Sequence, residues 1–344
     1  MKISLIGLTL LFLVFSCPVI FGQNGTKERI KVHSTALENN LIGDPATRDV
    51  TVYLPPSYAS NTSKHYPVLY FLHGFTDDDS KWFGWEDHWI NLFDILNKSM
   101  STGQAKEMIV VMPNAYNTFK GSFYGSSETT GDWETFITKD LVRYIDSHYR
   151  TLTQRNSRGL AGHSMGGYGT MRLGMKYPDV YSAIYLLSAC CMDNSFITDE
   201  TVMKNNENLT SKTELASASF VESINMALSS SWAPNPENPP FFIDLPFKNG
   251  TIRDDILKKY AANQILYTAD QYIYNLKQLN AIGMDAGTED TEISLATRKL
   301  HELLNKYGIK HQYKSYTGDH LNKIEDRIIT KTLPFFSESL EFEN

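Results

Sequence analysis

Apolar residues along this chain follow two rhythms. Residues 67–72 (PVLYFL) and 108–112 (MIVVM) are uninterrupted apolar runs, the pattern of strands buried on both faces. Residues 49–54 form a third strand candidate, halted by Pro55-Pro56. From Asp132 to residue 149 the rhythm changes, and Ile137, Leu141 and Ile145 recur every four positions behind an N-capping aspartate, which predicts one apolar helix face. Short strands are expected again at 158–161, 181–187 and 281–285, with a second helix over 293–307 closed by Gly308. Strands alternating with helices predict an α/β fold, a mostly parallel central sheet with helices on both faces.

The alternation breaks between about residues 192 and 263. The first part is polar, and the middle, residues 232–242 (WAPNPENPPFF), is too rich in proline for sheet or helix. This stretch reads as a lid-like insertion. Its aromatic residues Trp232, Phe241, Phe242 and Phe247 either line a pocket or pin a long loop to the body, and pinning is the favoured reading.

The 344 residues suit one catalytic domain over residues 23–344, and 42% hydrophobic with 21% charged residues is ordinary for a globular chain. A net charge of −7 with no basic run leaves no footprint for nucleic acid. At the start, Lys2 precedes an apolar stretch from Ile3 to Ile20 and a polar break after Gly22. That order predicts an export signal over residues 1–22, a secreted or periplasmic product and no stable membrane association. Lipid attachment at Cys17 is disfavoured, because Phe15 is bulky and the apolar run continues past the cysteine. The remaining cysteines, Cys190 and Cys191, are adjacent and cannot staple distant segments. They read as small buried residues at a strand end.

Residues 162–167 (GHSMGG) fit G-x-S-x-G between a predicted strand and a predicted helix. A turn that tight leaves no room for side chains two positions either side of the serine, so its hydroxyl projects alone. Ser164 is the expected nucleophile, and it needs a base. In chain order the base follows an acid, which restricts the search to His301, His311 and His320. His301 lies inside a helix and His311 starts a strand. His320 sits in a loop beyond the carboxyl end of a strand, where sites of open sheets collect, so it is the expected base. His163 is expected to point away from the serine hydroxyl. The acid comes from residues 284–290 (MDAGTED), where Asp290 lies past the Gly287 turn; Asp285 is still in the strand and is expected to meet a neighbouring backbone, and Glu289 is expected to be exposed. Oxyanion donors are expected at the backbone N–H of Met165, first in the helix, and of Phe75, after the strand-ending residues 72–75 (LHGF). Asp77-Asp78-Asp79 reads as a solvated turn, with no metal. Trp82, Trp85, Trp89 and the insertion's Trp232 are candidate substrate-binding residues, able to stack an aromatic acyl group or a sugar ring.

These motifs resemble the esterase D or putative-esterase family of α/β-hydrolases, over residues 49–336. The resemblance is strongest at residues 53–56 (YLPP), 70–74 (YFLHG), 162–167, 287–290 (GTED) and 318–320 (GDH). It implies an α/β-hydrolase fold and a cofactor-free serine esterase with Asp290 as acid and amides at Phe75 and Met165. The insertion departs from the pattern. By analogy, export favours feruloyl- or acetyl-esterase-like action on small-molecule or polysaccharide esters over the cytoplasmic thioesterases of the family. Acyl transfer on the same triad and a non-catalytic carbohydrate-binding protein are the competing expectations.

Overall fold

The computed structural model describes residues 24–193 and 200–343; the expected export signal and Cys17 lie outside them. Eight strands form the main sheet: β1 (Thr26–His33), β2 (Thr47–Leu54), β3 (Val68–Leu72), β4 (Ile109–Pro113), β5 (Arg158–His163), β6 (Ala183–Leu187), β7 (Ala281–Gly287) and β8 (Gln312–Tyr316). Their order is β1-β2-β4-β3-β5-β6-β7-β8. β1 and β2 join antiparallel, and from β4 onward every pairing is parallel. The apolar runs form β3 and β4, buried at every position as expected. β1 escaped the sequence pattern because it is an edge strand whose residues are mostly exposed.

Successive residues of each central strand feed opposite cores, as a period of two requires. Tyr70, Leu72, Val111, Leu160 and Ile184 pack on one face. Leu69, Phe71, Val110, Ala161 and Leu187 pack on the other. The principal helices are α1 (Leu92–Ser101), α2 (Leu141–His148), α3 (Met165–Lys176), α4 (Phe220–Trp232), α5 (Asp254–Ala261), α6 (Thr291–Lys306) and α7 (Leu333–Ser339). Leu141 and Ile145 of α2 join the first core, whereas Leu96 of α1 and Phe336 of α7 join the second. Helices therefore cover both faces. Asp132 caps the helical stretch before α2, its carboxylate accepting the Thr135 N–H, and Gly308 after α6 has φ +66.

The insertion is more helical than its polar and proline-rich composition suggests. Ser211 with Glu214, and Ser219 with Glu222, form capping boxes that start the Lys212–Ser217 helix and α4. Of the proline-rich residues 232–242, residues 233–242 stay outside any helix as expected, whereas Trp232 is the last residue of α4. Trp232 corrects one expectation: it is buried, edge-on to Phe123 at 5.9 Å and Tyr260 at 5.2 Å. With buried Phe241 and Phe247 it pins the insertion to the body and is not free to stack a ligand.

Candidate active site

β5 ends at His163 and α3 begins at Met165, which leaves Ser164 alone on the turn with φ 56 and ψ −115. That conformation costs a non-glycine residue about 1–3 kcal/mol and persists only where its surroundings enforce it. Here the surroundings are backbone. The Ser164 N–H donates to Leu187 O at 3.0 Å, and its carbonyl accepts from Tyr168 N–H and Cys190 N–H. A Cβ on Gly166 would stand 2.0 Å from the Leu72 carbonyl oxygen, and one on Gly162 would stand 2.3 Å from Gly166. The Ser164 side chain, 8% exposed, makes no hydrogen bond among the described residues.

Two further loops meet beside the elbow. Asp290 immediately precedes α6 and His320 follows β8. His320 Nδ1 lies 2.6 Å from Asp290 Oδ2. The loops are interlocked through backbone: Thr288 N–H donates to Tyr316 O, and Glu289 N–H to Gly318 O. A Cβ on Gly287 would stand 2.1 Å from Gly318 O, so this crossing requires glycine. Asp319 accepts the N–H groups of Leu321 and Asn322, both at 2.8 Å, and these bonds hold its carboxyl below the usual range.

His163 makes no hydrogen bond to the serine hydroxyl among the described residues, yet it does more than fill space. Its Nε2 lies 3.0 Å from the His320 carbonyl oxygen, and the two rings sit 4.7 Å apart. Burial pushes the His163 pKa well down, so the ring is neutral, its Nε2–H donates, and it clamps the His320 loop. His73 plays the matching role on the other side. Ala115 N–H donates to its Nε2, which leaves Nδ1–H to donate to Gly74 O. This fixes the loop that carries Phe75. Neither the Phe75 N–H nor the Met165 N–H has an acceptor among the described residues, and a Cβ on Gly74 would stand 3.6 Å from Ser164 Cβ. Two unpartnered donors thus lie on the segments next to Ser164.

Burial lowers the His73 pKa as well, which makes stability pH-dependent. Below about pH 6.5 the unfolded chain protonates these histidines while the folded chain resists. Stability is therefore present above that pH and lost as pH falls through it. Melting temperature should drop on acidification from pH 7 to 5, and less so in His163→Gln. An identical drop in that variant would assign the loss to other groups.

Several expectations need correction. Asp285 is buried in β7 as the strand pattern implies, but it meets side chains and not backbone: Arg327 Nε at 2.9 Å, Arg327 Nη2 at 2.7 Å and the Tyr185 hydroxyl at 2.7 Å. Asp77-Asp78-Asp79 is not a solvated turn. Asp77 accepts from Trp82 Nε1–H, Asp78 caps a helical turn at Lys81 N–H, and Asp79 holds Arg29 through both oxygens. Trp82 is fully buried. Trp85 is exposed but engaged elsewhere, under Lys27 and bonded to Thr51 Oγ1. Trp89 alone of the four tryptophans reaches the site: 39% exposed, it borders a groove of about 380 Å³ with Asp319, His320, Leu321, Asn322 and Glu325.

Sequence reasoning missed Phe220. It is the first residue of α4 and 58% exposed, with its ring 5.6 Å from the Phe75 ring. The signal was available in the Ser219–Glu222 capping box, which puts Phe220 at the tip of a helix start. Lys120 ties the Phe75 loop to α4: its Nζ donates to Ser223 Oγ and its carbonyl accepts Thr76 N–H.

Among solved structures, a ferulic acid esterase is 21% identical with a TM-score of 0.64, covering 92% of this chain and 100% of its own. A fluorophosphonate-binding serine hydrolase of Staphylococcus aureus is 18% identical with a TM-score of 0.61, covering 91% and 99%. At these identities the likeness establishes the α/β-hydrolase fold. Among curated relatives, an esterase of Mycobacterium tuberculosis is 34% identical over 134 residues, 37% of this chain and 26% of the relative. An endo-1,4-beta-xylanase/feruloyl esterase of Xylanibacter ruminicola is 30% identical over 141 residues, 40% of this chain and 19% of the relative. The chain thus matches about a quarter or less of the length of these relatives. The profile of the family described as "Putative esterase" matches residues 45–324, most of the chain, and the chain belongs to that family.

Proposed function

We propose that the protein hydrolyses carboxylic esters through an acyl-enzyme on Ser164. The observation that carries this reading is the 2.6 Å His320–Asp290 pair, clamped by interlocked loops beside a strained serine whose neighbours Met165 and Phe75 carry unpartnered amides. Ser164 Oγ attacks the ester carbonyl carbon while His320 Nε2 takes its proton, and Asp290 stabilises the imidazolium. The carbonyl oxygen, now anionic, accepts from Phe75 and Met165 N–H. Collapse expels the alcohol, protonated by His320, and water repeats the sequence to release the acid. No cofactor is needed. Incubation with a fluorophosphonate, followed by peptide mass analysis, should place one adduct on Ser164. A protein that hydrolyses p-nitrophenyl acetate yet takes no adduct there would overturn the reading.

The surroundings favour carbohydrate-linked or aryl esters of the feruloyl or acetyl type. The leaving alcohol takes its proton from His320, so it sits on the His320 side, where Trp89 offers an aromatic face among Asp319, Asn322 and Glu325. That lining suits a hydroxylated ring and repels an anionic thiol. The expected export signal would carry the enzyme to polymeric substrates. On the acyl side, Phe220 and Phe75 form an aromatic wall. Phe220→Ala should lower kcat/KM for a methyl ferulate by about tenfold relative to an acetyl ester, the upper end of one aromatic contact. An unchanged ratio would remove Phe220 from the acyl site.

A further inference from the structure

The reaction uses neither sulfur of the pair that follows β6. After Leu187 the chain passes through Ser188, with φ 42, and Ala189 to Cys190 and Cys191, the latter with φ 59. Two non-glycine residues in the left-handed region within four positions need enforcement by their surroundings. The segment is the floor of the elbow. Cys190 N–H donates to Ser164 O at 3.1 Å, and a Cβ on Gly167 would stand 2.8 Å from Ala189 Cα. Beyond it, the Met192 carbonyl accepts Leu266 N–H, tying the segment to the chain just past the insertion.

Both cysteines are buried, and their sulfurs lie 2.8 Å apart. Even non-bonded carbon atoms settle at roughly 3.5–4.0 Å, and sulfur is larger. A disulfide needs about 2.05 Å, so closure takes a shift of less than about 1 Å. Burial pushes the Cys191 thiol up, which makes it a poor nucleophile or metal ligand in the folded protein.

We propose that Cys190 and Cys191 are a modification site that closes a vicinal disulfide, and that this ring holds the left-handed turn beneath Ser164. The co-reactant is a small-molecule disulfide such as oxidised glutathione. One cysteine thiolate attacks it and releases one glutathione thiol, and the neighbouring cysteine displaces the second; the pair loses two protons and two electrons, which the oxidant takes up. Because burial disfavours the thiolate, exchange occurs during folding, before the core closes.

The test is to fold the full chain with oxidised or with reduced glutathione, denature it in iodoacetamide without reductant, and weigh the tryptic peptide 177–204, which carries both cysteines and no other. The oxidised preparation should give this peptide unlabelled and two hydrogens lighter than the dithiol. Two carbamidomethyl groups, or a glutathione adduct, would overturn the disulfide. This readout does not depend on ester hydrolysis. For the role of the ring, kcat on an acetyl ester should be several-fold lower in the reduced preparation, with KM within about twofold. The double variant Cys190→Ser/Cys191→Ser should match the reduced enzyme under both conditions. Equal kcat in the two preparations, or a double variant that still responds to oxidant, would sever the pair from the site.

Discussion

Ser164→Ala should lower kcat for p-nitrophenyl acetate by about 10⁴- to 10⁶-fold, the range seen when a serine nucleophile is removed from a cooperating triad. The substitution is clean because the Ser164 hydroxyl makes no hydrogen bond among the described residues, so no buried partner is orphaned. Its backbone bonds to Leu187, Tyr168 and Cys190 involve no side-chain atom and survive. The proposed oxyanion donors are also backbone, so a residual rate above water is expected from positioning and polarisation alone. Thermal melting of the variant should stay close to wild type, which separates lost chemistry from lost fold. Turnover within tenfold of wild type in a folded variant would place the nucleophile elsewhere and remove the basis of the proposed reaction.

The legibility of this site in the sequence follows from how local each constraint is. The elbow could be read because its requirement, glycines against backbone at Gly162 and Gly166, is met within five residues between two elements of strong period. His320 could be read from chain order and the rule that sites gather at strand carboxyl ends, and Asp290 from its place past the Gly287 turn together with the family resemblance. What stayed hidden depends on contacts far apart in sequence. Asp79 looks like one of three solvated acids until β1 brings Arg29 against it across fifty residues. Trp82 and Trp89 are near neighbours of one type, yet one is sealed by Phe71 and Asp77 and the other opens beside His320. Phe220 is an unremarkable helix start until the insertion folds back over Phe75. Patterns of period two and 3.6 report which face of an element is buried, but not which distant element buries it.

The choice between the two acids of residues 284–290 yields the second large expected effect. Asp290→Asn should reduce kcat by about 10⁴-fold near neutral pH with the fold retained. The reason is tautomeric. An amide nitrogen presented to Nδ1 would donate, which moves the imidazole proton to Nε2, and Nε2 could then no longer take the proton of Ser164. Asp285→Asn should do the reverse. The Asp285 carboxylate is fully buried against Arg327 and Tyr185, and removing one partner of a buried ion pair leaves the other uncompensated, at a cost of about 3–5 kcal/mol of stability. Because Arg327 is itself buried, it cannot recover that loss by turning to water. The folded fraction of Asp285→Asn should keep kcat within a few-fold of wild type. Urea melts give the stability change, and fluorophosphonate titration of competent sites converts turnover to kcat per folded molecule. An Asp290→Asn enzyme that retains kcat, or an Asp285→Asn enzyme that keeps its stability and loses kcat, would transfer the orienting role from the loop carboxylate to the strand carboxylate.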